Sequence, residues 1–177
     1  MQFQDKVVLV TGGSSGLGLA IAQELAGQGA TLVITGRRQE QLDEALTKLG
    51  ERASAVIADV SVLADLVVLF DTIKARHGRI DVLVANAGMG EIAPLGSITE
   101  AYFDRVFSTN VKGVTFTVQG ALALMSRGSS IVIIGSTASI DPGPGLSVYG
   151  ATKAALRTLV RSWTLDIKGR GVRINLL

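Results

Sequence analysis

Tyr149 and Lys153, in the run Tyr149-Gly150-Ala151-Thr152-Lys153, stand four residues apart at the head of a segment with helical periodicity through Leu156, Leu159 and Val160. On a helix that spacing puts both side chains on one face, about a turn apart. A phenol and an ammonium so placed suggest acid–base chemistry, because the cation favours the ionised phenol. An unperturbed tyrosine, with a pKa of about 10, is a poor proton shuttle near neutrality. Each unit of lowering takes roughly 1.4 kcal/mol of differential interaction, which a nearby cation in a partly dry site can supply. Such pairs also occur on idle helix surfaces, so partners decide the matter. Ser136 lies thirteen residues before Tyr149, just past an apolar run; its hydroxyl can bond a substrate carbonyl or simply end a strand. Asn110 sits inside a long helical segment where its propensity is poor, which calls for a reason such as holding a water or distorting the helix.

A second constellation follows the first apolar run: Thr11-Gly12-Gly13-Ser14-Ser15-Gly16-Leu17-Gly18, then an amphipathic segment from Leu19 to Leu25. Strand, glycine turn and helix in that order make a phosphate cradle, since glycines let the backbone approach a pyrophosphate and the helix start offers unpaired N–H groups. The same glycines also suit a tight turn with close helix packing. Leu19 stands where a P-loop needs lysine, which disfavours nucleoside triphosphate chemistry. The second apolar run ends Thr35-Gly36-Arg37-Arg38, without the acid that would hold the ribose hydroxyls of NAD. Arg37 or Arg38 can instead pair with a 2′-phosphate, which favours NADP, with NAD the alternative; Arg37 is the residue expected to select it, and Arg38 also suits a solvated helix start.

Both constellations need elements to position them. Short apolar runs recur at Val7–Val10, Thr31–Ile34, Ala55–Ala58, Val82–Ala85, Ile131–Ile134 and Val172–Leu176, and helical segments, one with Leu66, Phe70 and Ile73 on a face, lie between them. Six alternations predict an α/β fold of the Rossmann-like, doubly wound kind: a parallel sheet covered on both faces, its runs buried on both sides. Gly12–Gly18, Arg37, Asp59, Asn86 and Ser136 each follow a different strand, so all belong at the carboxyl edge, where open parallel sheets bind ligands. The 177 residues suit one domain, 1–177.

Composition bounds the rest. A formal charge of +2 from seventeen basic and fifteen acidic residues gives no reason to expect nucleic acid. The absence of cysteine removes disulfides and thiolate metal sites and suits a cytoplasmic protein. The N-terminal stretch is unlike a signal peptide, and no run reaches the roughly 18 uncharged apolar residues of a membrane span. His77, before Gly78 at a helix end, reads as structural and exposed; Trp163 reads as core or subunit packing, and Arg157, Arg161, Lys168, Arg170 and Arg173 as a solvated face.

Taken together, the glycine loop, Asn86-Ala87-Gly88, Asn110, Ser136 and the Tyr149–Lys153 pair stand in an order and spacing that resembles the short-chain dehydrogenase/reductase family over essentially the whole chain. The glycine spacing is closer to its simple dehydrogenase branch than to the sugar-nucleotide epimerases. The resemblance implies hydride transfer between a nicotinamide and a small-molecule carbonyl or alcohol, without a metal. It implies that Tyr149 transfers the proton, Lys153 lowers its pKa and holds the nicotinamide ribose, Ser136 orients the carbonyl and Asn110 supports a relay water. It implies cofactor contacts from Gly12, Ser14, Ser15, Gly16, Leu17, Gly18, Arg37, Asp59, Val60, Asn86, Ala87, Gly88, Tyr149 and Lys153. For Asp59 a turn or helix-start role competes, and Ala85 departs from the family's frequent asparagine. The family's usual continuation beyond Leu177, a substrate-covering segment and a seventh strand used in subunit pairing, is absent, and a homo-oligomer is expected with the full-length chain. The competing functional reading is a nucleotide-binding module without turnover.

Overall fold

β1 (Val7–Thr11) is buried at every position, and its side chains divide between two cores: Val8 and Val10 join one cluster, Leu9 the other. Alternation of this kind on an all-apolar strand requires cover on both faces. The structure, a computed structural model, describes residues 2–177. Its remaining strands are β2 (Thr31–Gly36), β3 (Ala53–Ile57), β4 (Val82–Ala85), β5 (Ser130–Ile133) and β6 (Arg173–Leu176), in one parallel sheet of order β3-β2-β1-β4-β5-β6. The helices are α1 (Gly16–Gly27), α2 (Gln39–Leu49), α3 (Leu63–His77), α4 (Glu100–Phe107), α5 (Val114–Leu122) and α6 (Ser147–Asp166). Ala22 and Leu25 of α1 and Leu42 and Ala45 of α2 pack with Val8, Val10 and Ile34 on one face. Leu69 and Ile73 of α3, Val118 of α5 and Leu156 of α6 pack with Leu9, Leu83 and Ile131 on the other. This is the doubly wound α/β fold.

The chain winds outward from β1 through β2 to β3, then crosses to β4 and winds the other way. Loops leaving β1 and β4 therefore part at their carboxyl ends and open a crevice between them.

Three expectations need correction. The third strand is Ala53–Ile57, two residues earlier at its start than the apolar run suggests, and it is only partly buried because it pairs with β2 alone and forms the sheet edge. His77 does end α3 at the left-handed Gly78, but it is half-buried, and its Nε2 has no hydrogen-bond partner among the described residues. Burial first, then Arg76 and Arg79, hold its pKa below the ordinary histidine value. Arg157 is half-buried and donates to Ser139 Oγ at 3.3 Å, unlike the exposed Arg161, Lys168, Arg170 and Arg173. Trp163 packs, partly buried, against the core of the α3 and α6 face.

Candidate active site

Thr11 ends β1 with a side chain that is 2% exposed, and its Oγ1 accepts from the backbone N–H groups of Asn86 and Ala87, each at 3.1 Å. Asn86 answers by donating from Nδ2 to Thr11 O at 3.0 Å and Gly12 O at 3.2 Å. The clasp fixes the glycine loop against the turn Asn86-Ala87-Gly88. Gly12 has φ 64, a left-handed conformation that glycine adopts without strain. At Gly18 a Cβ would lie 2.2 Å from Gly12 O and 2.5 Å from Asn86 Nδ2, so a larger residue cannot fit beneath the loop. Ser15 occupies the N-cap of α1, whose first-turn N–H groups have no intrahelical partner.

A cleft of about 300 Å³ runs along this edge, lined by Gly12, Ser14, Ser15, Leu17, Gly18, Arg37, Asp59, Val60, Asn86, Ala87 and Gly88. Of the expected cofactor residues outside the Tyr149–Lys153 pair, only Gly16 is missing from that lining; it opens α1 at φ 54. Arg37 and Arg38 both reach the cleft, Arg38 from the N-cap of α2. Arg37 Nη1 stands 4.0 Å from Asp59 Oδ2, and both groups retain solvent contact, so the pair adds little stability. Asp59 Oδ1 accepts from Ser61 N at 2.9 Å and Ser61 Oγ at 2.7 Å, which makes it a turn residue as well as a cleft residue. Backbone N–H groups, a helix start and two guanidiniums in one cleft suit the phosphates of a bound nucleotide.

A second cavity, about 280 Å³, shares Asn86, Gly88 and Met89 with the first and adds Gly90, Ile134, Gly135, Leu146, Tyr149 and Lys153. Lys153, 5% exposed, donates from Nζ to Ile134 O at 2.7 Å and lies 5.7 Å from the centroid of the Tyr149 ring. Burial pushes its pKa below the usual lysine range. Ser136 follows β5, but Ile134 and Gly135 rather than Ser136 line this cavity. Its Oγ accepts from Ala138 N at 3.1 Å and caps a short 3-10 turn, Thr137–Ser139, which leaves the hydroxyl proton to donate elsewhere.

Asn110 is fully buried inside a π-helical turn, Ser108–Gly113, that joins α4 to α5. Both of its amide hydrogens are used, on Met89 O at 2.7 Å and Thr152 Oγ1 at 3.1 Å, while Oδ1 accepts from Met89 N at 2.8 Å. The turn that carries Asn110 is a distorted, π-helical one, in line with distortion as one reason for a mid-helix asparagine. Thr152 in turn donates to Tyr149 O at 2.6 Å, so its oxygen faces Asn110 only as an acceptor and fixes the amide's orientation. Sequence reasoning missed Thr11, Thr152, Met89 and Gly90. The signal in the first two was a small hydroxyl residue inside an apolar or motif run; Met89 and Gly90 carried none.

The profile of a family described as short chain dehydrogenase matches residues 6–177. The chain is 48% identical over 174 residues to Oxidoreductase asL5 of Sarocladium schorii, covering 97% of this chain and 70% of that protein. It is 37% identical over 175 residues to Elsinochrome reductase 1 of Elsinoe fawcettii, covering 96% of this chain and 66% of the relative. Among solved structures, a short chain dehydrogenase from Burkholderia cenocepacia in complex with NADP superposes with a TM-score of 0.94 at 34% identity, covering 99% of this chain and 74% of that one. No described helix is long and apolar enough to cross a membrane.

Proposed function

The chain belongs to the short-chain dehydrogenase/reductase family of oxidoreductases, and from that premise we propose that it is an NADP-dependent enzyme that moves a hydride between nicotinamide and a carbonyl or alcohol carbon, with Tyr149 as general acid and base. The observation that carries this reading is the adjacency of the two cavities: Tyr149 and Lys153 line a space that shares Asn86, Gly88 and Met89 with the glycine-loop cleft. A nicotinamide bound there supplies or accepts the hydride.

The chain's own residues do the remainder. In the reductive direction Tyr149 Oη gives its proton to the developing alkoxide; in the oxidative direction it takes one from the alcohol. Lys153 keeps two donors after its bond to Ile134 O, enough to hold ribose hydroxyls and stabilise a phenolate. Ser136 donates to the carbonyl oxygen, and Arg37 meets the 2′-phosphate at the cleft's far end. Asn110 takes part by holding Met89 and, through Thr152, the first turn of α6, with a relay water its further role. Residues 1–177 act as one nucleotide-binding domain that carries the catalytic set.

Titration with NADPH and NADH, followed by fluorescence or calorimetry, tests the cofactor half: preference for NADPH is expected, and binding of neither overturns it. Turnover is tested on a panel of neutral carbonyls, with Tyr149→Phe expected to abolish it while cofactor affinity stays within about threefold. Retained turnover refutes the tyrosine's role. NADPH binding with no carbonyl reduced favours a nucleotide-binding module instead.

We also propose that the full-length chain forms a homo-oligomer. Val67 and Val68 of α3, 60% and 58% exposed, and Phe116 of α5, 36% exposed, are large apolar side chains open to solvent on helices that pack through Phe70 over Gly120. Light scattering of the full-length protein that gives a monomer at every concentration refutes this. A cytoplasmic location accords with the lack of cysteine.

A further inference from the structure

Between β4 and α4 the chain runs from Asn86 to Thr99 without helix or strand, so its main-chain polar groups depend on side chains and turns for partners. Two residues of this segment are each gripped at both main-chain groups by a single buried side chain. Asn110 holds Met89, as described. Tyr102 holds Glu91: its hydroxyl donates to Glu91 O at 2.7 Å and accepts from Glu91 N at 3.3 Å. Tyr102 is 5% exposed and packs through its ring with Val106 and Val148, an environment that phenylalanine would suit equally. Packing therefore explains the ring and leaves the hydroxyl to the backbone of Glu91.

Gly90 is the one residue between these two grips. A Cβ built on it would lie 2.5 Å from Cδ2, 2.9 Å from Cγ and 3.1 Å from Cε2 of Tyr149. Three atoms of one ring at such distances mean that the glycine backbone lies against the ring of the phenol. The segment is pinned on both sides of the contact, by the π-helical turn at Met89 and by α4 at Glu91.

We propose that Tyr102 is a positioning residue: its hydroxyl clamps Glu91 so that Gly90 bears on the Tyr149 ring and holds the phenol in place. The inference rests on Tyr149 being the acid–base group. Misplacement of a reacting group by about 1 Å can cost 10²-fold in rate, and a ring with a free face has that latitude. The alternative is that the Tyr102 hydroxyl merely satisfies itself on the nearest backbone, as buried tyrosines usually do.

Tyr102→Phe keeps the packing and releases Glu91. A kcat about tenfold lower is expected, with the Kd for NADPH within about twofold of wild type. Gly90→Ala pushes the ring and is expected to lower kcat by about 10²-fold. In the double variant the released loop can back away from the ring, so Tyr102→Phe should recover part of the Gly90→Ala loss; losses that simply multiply overturn the clamp. A readout independent of turnover is available because the chain has two tyrosines. With 13C-labelled tyrosine, Tyr102→Phe reports Tyr149 alone, and its ring-flip rate should rise about tenfold or more over wild type. An unchanged flip rate overturns the clamp even in an active enzyme. A wild-type protein that binds NADPH and reduces no carbonyl defeats the acid–base reading instead, while the flip rate still judges the clamp.

Discussion

Gly18 and Gly27 lie in the same helix, and the same substitution should act on them with opposite sign. At Gly18 an alanine Cβ would fall 2.2 Å from Gly12 O and 2.5 Å from Asn86 Nδ2, nearer than side-chain carbons are ever found, and the 2.2 Å contact is to backbone, which cannot swing aside. The helix and the glycine loop must part by about 1 Å, an overpacking strain of about 1–3 kcal/mol. Parting them also breaks the 3.2 Å bond from Asn86 Nδ2 to Gly12 O, worth about 1 kcal/mol. The better helix propensity of alanine returns less than about 1 kcal/mol. A net loss of about 1–3 kcal/mol is expected, which for a chain of this length lowers Tm by roughly 2–12 °C. At Gly27 a Cβ meets no atom within 4 Å, so Gly27→Ala should gain about 0.5 kcal/mol and raise Tm by roughly 1–2 °C. Thermal and urea unfolding give the stabilities, and NADPH titration gives the functional consequence: at least about tenfold weaker binding for Gly18→Ala, none for Gly27→Ala. If Gly18→Ala melts within about 2 °C of wild type, where each kcal/mol is worth about 2–4 °C, the glycine loop is not packed as described.

Other perturbations probe the remaining parts. Arg37→Asp removes the guanidinium and sets a carboxylate beside the cleft, so the NADPH-to-NADH preference should fall by about tenfold or reverse; full retention in competitive titrations removes Arg37 from specificity. Lys153→Met deletes a buried ammonium whose pKa is already lowered by desolvation. Turnover should vanish while Tm stays level or rises, and a large fall in Tm would show that the bond to Ile134 O outweighs the burial cost. Asp81 tests the electrostatics. Burial would raise its pKa, but the Val7 N–H at 2.8 Å and Arg79 Nε at 3.0 Å, with Lys6 at 3.7 Å, outweigh burial and lower it. A carboxyl with a folded pKa below its unfolded one stabilises above the unfolded value and loses that contribution as pH falls through the folded one. Asp81→Asn should therefore cost about 1–2 kcal/mol near neutrality and close to nothing in strong acid; an equal deficit in urea melts at both ends refutes the assignment.

The sequence by itself determined the fold class, because fully apolar runs such as Val7–Val10, separated by helical segments, have few stable arrangements other than a parallel sheet covered on both faces. It also determined which residues collect at one edge, since Gly12–Gly18, Arg37, Asp59, Asn86 and Ser136 all follow strands that point the same way. Tertiary structure decided what periodicity does not encode. Ala53–Ile57 became an edge strand, with fewer buried positions than its composition suggests, because edge position depends on strand order. Asn110 came to hold Met89 through a π-helical turn, Ser136 became the cap of a 3-10 turn, and Gly90 came to bear on Tyr149. Each depends on where a loop passes in space, and a loop's path is set by long-range hydrogen bonds such as Tyr102 to Glu91 and Thr11 to Ala87, whose partners lie 11 and 76 residues apart and leave no local pattern.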